Sequence, residues 1–263
     1  MVRSIGLFVA ALIAGCSGDP PDVAKTVVIP KKEGTKTQVQ FAARDGRKVY
    51  ADFYKTSNGS DTIILLFHQA GSNAHEYETI APKLLEMGYD SLAVDQRSGG
   101  EMWGRKNRTG DLSNHYIDAY RDMQGALEWA KSKNYGHIVA WGSSYSASLV
   151  LKLAVDNKDV EAVLAFSPGE YFGGTVVKDW NMRVAVPVLM AMTPDEANGD
   201  GLLLYEASSH TPARTHGDMF VSFPDSVHGS STLREDRNPK GWRKTWQQVT
   251  SFLKANAKAK SMG

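Results

Sequence analysis

The chain has 263 residues, 42% of them hydrophobic and 22% charged, a balance that suits a folded globular protein and excludes a disordered or fibrous one. Thirty Lys and Arg stand against 29 Asp and Glu, so no field of one sign would draw the protein onto nucleic acid. Its single cysteine, Cys16, excludes a disulfide framework and a cysteine-rich metal site.

The first residues, MVRSIGLFVAALIAGC, place one positive charge, Arg3, before an apolar run from Ile5 to Ile13. That run is too short to cross a hydrocarbon core of about 30 Å as a permanent helix, and the pattern reads as a signal peptide. Its end, Leu12-Ile13-Ala14-Gly15-Cys16, resembles the box at which bacterial lipoproteins are lipidated on Cys and cleaved just before it. The resemblance implies that residues 1–15 are removed, that Cys16 carries the lipid and that the protein is held on a membrane surface. Ser17 and Gly18, rather than Asp, follow the Cys and imply the outer membrane in a Gram-negative host. Residues 16–35, rich in Pro, Gly and Lys, read as a tether, and 36–263 as one domain.

Within that domain, 38–43 and 48–55 flank Arg44-Asp45-Gly46-Arg47 and predict a hairpin. The run 62–67 (TIILLF) predicts a strand buried on both faces. A helix is expected over 75–87, stopping at Gly88, then a strand over 89–94 and a helix over 116–132. Strands at 137–141, 160–166, 184–193 and 218–223 alternate with helices at 146–155, 201–208 and 239–257. The alternation after an antiparallel start predicts an α/β fold, a mostly parallel sheet with helices on both faces. In such sheets ligands gather outside the carboxyl ends of the strands, so chemistry is sought just after each apolar run.

After the strand at 137–141 comes Gly142-Ser143-Ser144-Tyr145-Ser146, which matches G-x-S-x-G except that Ser146 replaces the last Gly. A strand that turns at once into a helix holds the central Ser in a strained conformation, and the residues two away on either side must be small. Ser144 is thus the candidate nucleophile. The N–H of Tyr145 opens the helix and is oriented to receive an oxyanion. Such a serine needs a base, and of the seven histidines His228 follows the last strand at the same edge. His75, His115, His137, His210 and His216 read as exposed or structural. The acid that orients the base is sought after the strand between them, where Asp195 and Glu196 are adjacent.

Across 62–229 the order Ser, acid, His resembles that of the α/β-hydrolase superfamily, nearest to its small cap-less esterases and dienelactone-hydrolase-like enzymes. The resemblance implies an eight-stranded sheet and acyl transfer from a small ester to water, with no metal or organic cofactor. It favours Glu196, nine residues after Pro187, as the acid, with Asp195 still open. It also implies a second oxyanion donor in the turn His68-Gln69-Ala70-Gly71, from the N–H of Ala70 or, less readily, Gln69, with His68 bracing the turn. Asp95-Gln96-Arg97 resembles the family's structural Asp-x-Arg turn. The segment 99–114 is placed to cover the site, and Arg105, Lys106 and Arg108 within it suggest a substrate carboxylate. Tyr171, Phe172 and Trp180 either line a pocket or pack the sheet edge. Two other readings stand beside the esterase: a peptidase or acyltransferase on the same triad, and a surface-tethered binding lipoprotein without chemistry.

Overall fold

The computed structural model describes residues 34–110, 115–209 and 217–258; the expected signal, Cys16 and nearly all of the expected tether lie outside them. The chain opens with an antiparallel hairpin, β1 (Gly34–Ala42) and β2 (Lys48–Thr56), so the first strand starts two residues before the expected domain boundary. There follow β3 (Thr62–Phe67), α1 (Ala81–Glu86), β4 (Asp90–Asp95), the short strands β5 (Glu101–Met102) and β6 (Arg105–Lys106), and α2 (Tyr120–Ser132). Next come β7 (His137–Ser143), α3 (Tyr145–Asp156), β8 (Val160–Phe166), α4 (Val176–Arg183) and β9 (Val188–Met192). The single turn α5 (Pro194–Glu196), α6 (Leu202–Ser209), β10 (Met219–Ser222) and α7 (Trp242–Asn256) complete it.

Eight strands form one sheet in the order β1-β2-β4-β3-β7-β8-β9-β10, while β5 and β6 pair separately. β2 runs antiparallel to β1 and β4, and every pair from β4 to β10 is parallel. The expected mostly parallel sheet with an antiparallel start is the one the chain forms. From β3 the chain moves to one side, to β4, and returns on the other as β7, so the strand order reverses between β3 and β7. Open sheets bind ligands outside the carboxyl ends of the strands at such a switch point, here where Phe67 lies opposite Gly142.

Period-two alternation along the strands divides the core into two layers. Ile63, Leu65, Phe67, Ile138 and Ala140 face Met123, Leu127, Leu149 and Leu153 of α2 and α3. Ile64, Leu66, Val139 and Trp141 face Leu84 of α1 and Trp246, Val249 and Phe252 of α7. Each fully buried Leu, Ile or Phe stabilises the fold by about 1.5–3 kcal/mol, and the central strands contribute to both layers.

Several elements differ from expectation for local reasons. The helix expected over 75–87 is a 3-10 turn (Ala74–Tyr77), capped by the Asn73 side chain, followed by α1. Pro82 has no N–H to give to the preceding turn, so a continuous helix cannot pass through it. Likewise the strand expected over 184–193 begins only at Val188, after Pro187. α4 and the β5–β6 hairpin were not expected at all. The N–H groups of the second and third residues of α4, Val177 and Lys178, are accepted by the Glu170 carboxylate at 2.8 and 2.7 Å, a cap lying upstream of the N-cap position.

Candidate active site

The candidate nucleophile elbow is built by close approach of strand and helix. A methyl group on Gly142 would run into the Ser146 carbonyl, so only glycine fits there. Ser144, between β7 and α3, has φ 59° and ψ −129°, a conformation that costs on the order of 1–3 kcal/mol. Its N–H donates to the Phe166 carbonyl at 2.8 Å on the neighbouring strand, and its carbonyl accepts from Ala147 at 2.8 Å. Ser146, where glycine is usual, uses its hydroxyl: Oγ donates to the His68 carbonyl at 2.7 Å and ties the elbow to the turn after β3.

His228 and Glu196 meet at the same edge. His228 Nδ1 lies 2.5 Å from Glu196 Oε1, while Glu196 Oε2 accepts the Thr193 N–H at 2.9 Å and the Ser167 hydroxyl at 2.7 Å. Burial opposes ionisation of Glu196, but the hydrogen bonds from His228, Thr193 and Ser167 outweigh it and hold the carboxyl down to about 2. The hydrogen bond to Glu196, against partial burial, raises the pKa of His228. Asp195 is exposed and makes no such contact. Of the two carboxylates left open by the sequence, Glu196 is the one brought to His228. The turn explains the choice, because Thr193 and Glu196 form a reciprocal capping box with Pro194 at the first helical position.

Ser167 was not singled out from the sequence. It has φ 57°, its hydroxyl donates to Glu196, and its Oγ accepts the Gly229 N–H at 2.9 Å, so it links the acid to the segment bearing His228. Among the described residues, Ser144 and the His228 ring share no direct hydrogen bond. The neighbour of the Ser144 hydroxyl is instead the phenol of Tyr171, which itself donates to the Ser167 carbonyl at 2.9 Å.

The three candidate oxyanion donors separate cleanly. The Gln69 N–H donates to Glu76 Oε2 at 3.0 Å and is committed away from the site. The N–H groups of Ala70 and Tyr145 donate to no partner among the described residues. That of Tyr145, at the first position of α3, has no intrahelical acceptor. His68 is buried, accepts the Gln96 N–H at Nε2 (2.9 Å) and has Nδ1 2.7 Å from the Gln69 carbonyl. Burial lowers its pKa, and the neutral ring braces the turn as expected. His75 pairs with Glu78 and His137 with Glu161, while His210 and His216 lie outside the described residues.

No protein-family model matches the sequence, and no curated protein does. Solved structures do. An esterase of Pyrococcus furiosus superposes with a TM-score of 0.66 at 18% identity, over 85% of this chain and 93% of that one. A Klebsiella pneumoniae protein assigned as a dienelactone hydrolase gives 0.62 at 13%, over 84% and 99%. An acylaminoacyl peptidase of Pyrococcus horikoshii gives 0.67 at 12%, over 88% of this chain and 43% of that one. The fold is that of the α/β-hydrolases.

In this α/β-hydrolase fold the segment after β4 is tied down. Asn73 Nδ2 donates to the Met102 and Arg105 carbonyls at 2.9 Å each, and Trp103 Nε1 donates to Ser72 Oγ at 2.8 Å. The Trp103 ring carries the guanidinium groups of Arg234 and Arg237 at 4.3 and 4.7 Å. Arg108 pairs with buried Asp52 at 2.7 Å and Asp95 at 2.5 Å, and Arg105 with Asp52 at 3.5 Å. These two arginines serve internal carboxylates, which removes them as a reason to expect an acidic substrate. Asp95 also accepts the Ala74 N–H at 2.7 Å, and Arg97 pairs with Asp122 and Asp45, so the Asp-x-Arg turn is structural. Residues 111–114 of the expected cover lie outside the described residues. Of the three aromatics after β8, Tyr171 borders Ser144, whereas Phe172 and Trp180 pack on each other at 5.5 Å and against the core.

Proposed function

We propose that the protein is a serine hydrolase that cleaves carboxylic esters. The observation that carries this reading is the Glu196–His228 hydrogen bond at the sheet edge that also presents Ser144 on its left-handed elbow. In the proposed reaction Ser144 Oγ bonds to the ester carbonyl carbon as Nε2 of His228 takes the hydroxyl proton. The oxyanion is received by the N–H groups of Ala70 and Tyr145; losing one donor in a comparable hole costs about 3–4 kcal/mol. Collapse breaks the bond to the alcohol, which leaves with the proton from His228. Water then repeats the sequence on the acyl-Ser144 and releases the acid. Glu196 keeps Nδ1 of His228 protonated and stabilises the imidazolium.

Hydrolysis of p-nitrophenyl acetate and butyrate by residues 17–263, beside Ser144→Ala, tests the assignment. The variant loses roughly 10⁴- to 10⁶-fold in turnover; retained activity would remove Ser144 from the mechanism. We infer further, from the Leu12–Cys16 box, that a lipid on Cys16 holds the enzyme at the bacterial envelope, each buried CH₂ adding about 0.8 kcal/mol. Detergent phase partition of the full chain tests this: Cys16→Ala moves the protein into the aqueous phase, and unchanged partition contradicts a lipid there.

A further inference from the structure

Resting on the esterase reading above, a further role falls to Glu76, a fully buried carboxyl in the turn before α1 that the reaction leaves without a step. Glu76 Oε1 accepts from the Ser143 hydroxyl at 2.6 Å and Oε2 from the Gln69 N–H at 3.0 Å, with Ser72 as a further hydroxyl neighbour. Ser143 Oγ in turn accepts the Ser230 N–H at 2.9 Å. Gly229, at φ +67°, sits so close to Ser143 Oγ that any side chain at 229 would collide with it. Ser143 adjoins the nucleophile, Gln69 adjoins the oxyanion donor Ala70, and Gly229 and Ser230 directly follow His228. One carboxylate and one hydroxyl are therefore bonded to all three segments that must be held in mutual position.

A carboxylate kept in a core costs more stability than a packed apolar side chain would, so its presence at this junction asks for a reason beyond folding. We propose that Glu76 is a positioning residue: with Ser143 it sets the spacing of Ser144, the Ala70 N–H and His228, and it brings a second carboxylate to the segment that carries His228. Both oxygens act as acceptors, the pattern an ionised carboxylate supplies. Burial raises its pKa, while Ser143, Gln69, Ser72 and Arg234 favour the charge; Tyr77 and Tyr145 are its other titratable neighbours. Arg234 also donates to the Glu76 main-chain carbonyl at 3.1 Å. Glu196, from the turn after β9, bonds to His228 and raises its pKa, and the charge of Glu76, which comes up to Gly229 from the turn after β3, adds a smaller effect in the same direction.

The test measures kcat and KM of wild type, Glu76→Gln and Ser143→Ala on p-nitrophenyl acetate from about pH 5 to 9, alongside thermal melts. Each variant is expected to lose about 10- to 100-fold in kcat with KM within about threefold, because misplacement of reacting groups lowers the chemical step. Glu76→Gln, which removes the charge, moves the acidic limb of kcat/KM to lower pH, whereas Ser143→Ala leaves that limb in place. A packing role alone would not produce this difference. An active wild type with both variants within about twofold and the limb unmoved overturns the inference alone. A wild type that neither hydrolyses the ester nor reacts with a fluorophosphonate overturns the esterase reading and this inference together. Where Glu76→Gln does not fold, the kcat-against-KM split of Ser143→Ala decides.

Discussion

Asp195 and Glu196 are chemically alike and adjacent, yet the turn that holds them gives only one a partner. The reciprocal bonds between Thr193 and Glu196 turn the longer side chain back over the helix start, where His228 and Ser167 meet it. Glu196→Gln is expected to lower kcat by about 10³- to 10⁴-fold, since the base loses its orienting acceptor and the charge behind its imidazolium. Because Glu196 raises the pKa of His228, the same change moves the acidic limb of the rate profile to lower pH. Asp195→Asn leaves both within about twofold. The chain itself left the two carboxylates open, and only the resemblance, through the spacing of nine residues from Pro187, leaned to Glu196; the capping box that decides between them is seen in the folded turn. Ser167 and Glu76 were not legible, because what gives them meaning is distant: Ser167 meets Glu196 across 29 positions and Glu76 meets Ser143 across 67. No local pattern records such a contact.

Among the elements, those read correctly are the ones whose signal is local: continuous apolar runs for the buried strands, and a strand turning into a helix at Ser144. α4 escaped notice because its cap is the Glu170 side chain, offered from the loop before Gly173 and Gly174. The β5–β6 hairpin escaped because its strands are two residues each and its stability comes from outside it, from Asn73, Ser72, Arg234 and the buried Asp52. Arg105 and, just beyond the hairpin, Arg108 pointed to a substrate carboxylate in the sequence only because their partner Asp52 lies far back in β2. The hairpin is thus a fixed wall beside the turn after β3. Trp103→Ala, which removes the indole from Ser72 and from both guanidinium groups, is expected to cost about 1–3 kcal/mol. Melting curves should show this as a fall of about 2–10 °C in Tm; an unchanged Tm would contradict the pinned hairpin.

At the scale of the whole molecule, the order of strands decides where chemistry is possible. The reversal between β3 and β7 marks the edge at which open sheets bind ligands, and the turns after β3, β7, β8 and β9, with the segment after β10, all lie along it. The sheet supplies the rigidity: layers on both faces hold the central strands, so the strained backbone at Ser144 and the left-handed Ser167 are carried by a core that neither could distort. The same fold occurs in an acylaminoacyl peptidase, but this chain corresponds to 43% of that protein's length. Matched acetyl ester and acetyl amide substrates are expected to give kcat/KM ratios of at least about 10³ in favour of the ester; parity would shift the assignment to a peptidase.

The most direct measurement is the mass of the intact protein after brief exposure to a fluorophosphonate at about pH 8, followed by peptide mapping. A single adduct on Ser144 is expected, formed much more slowly in Glu196→Gln and absent in Ser144→Ala. No adduct on the wild type, or an adduct on another residue, would contradict the assignment of Ser144, His228 and Glu196 as a working triad.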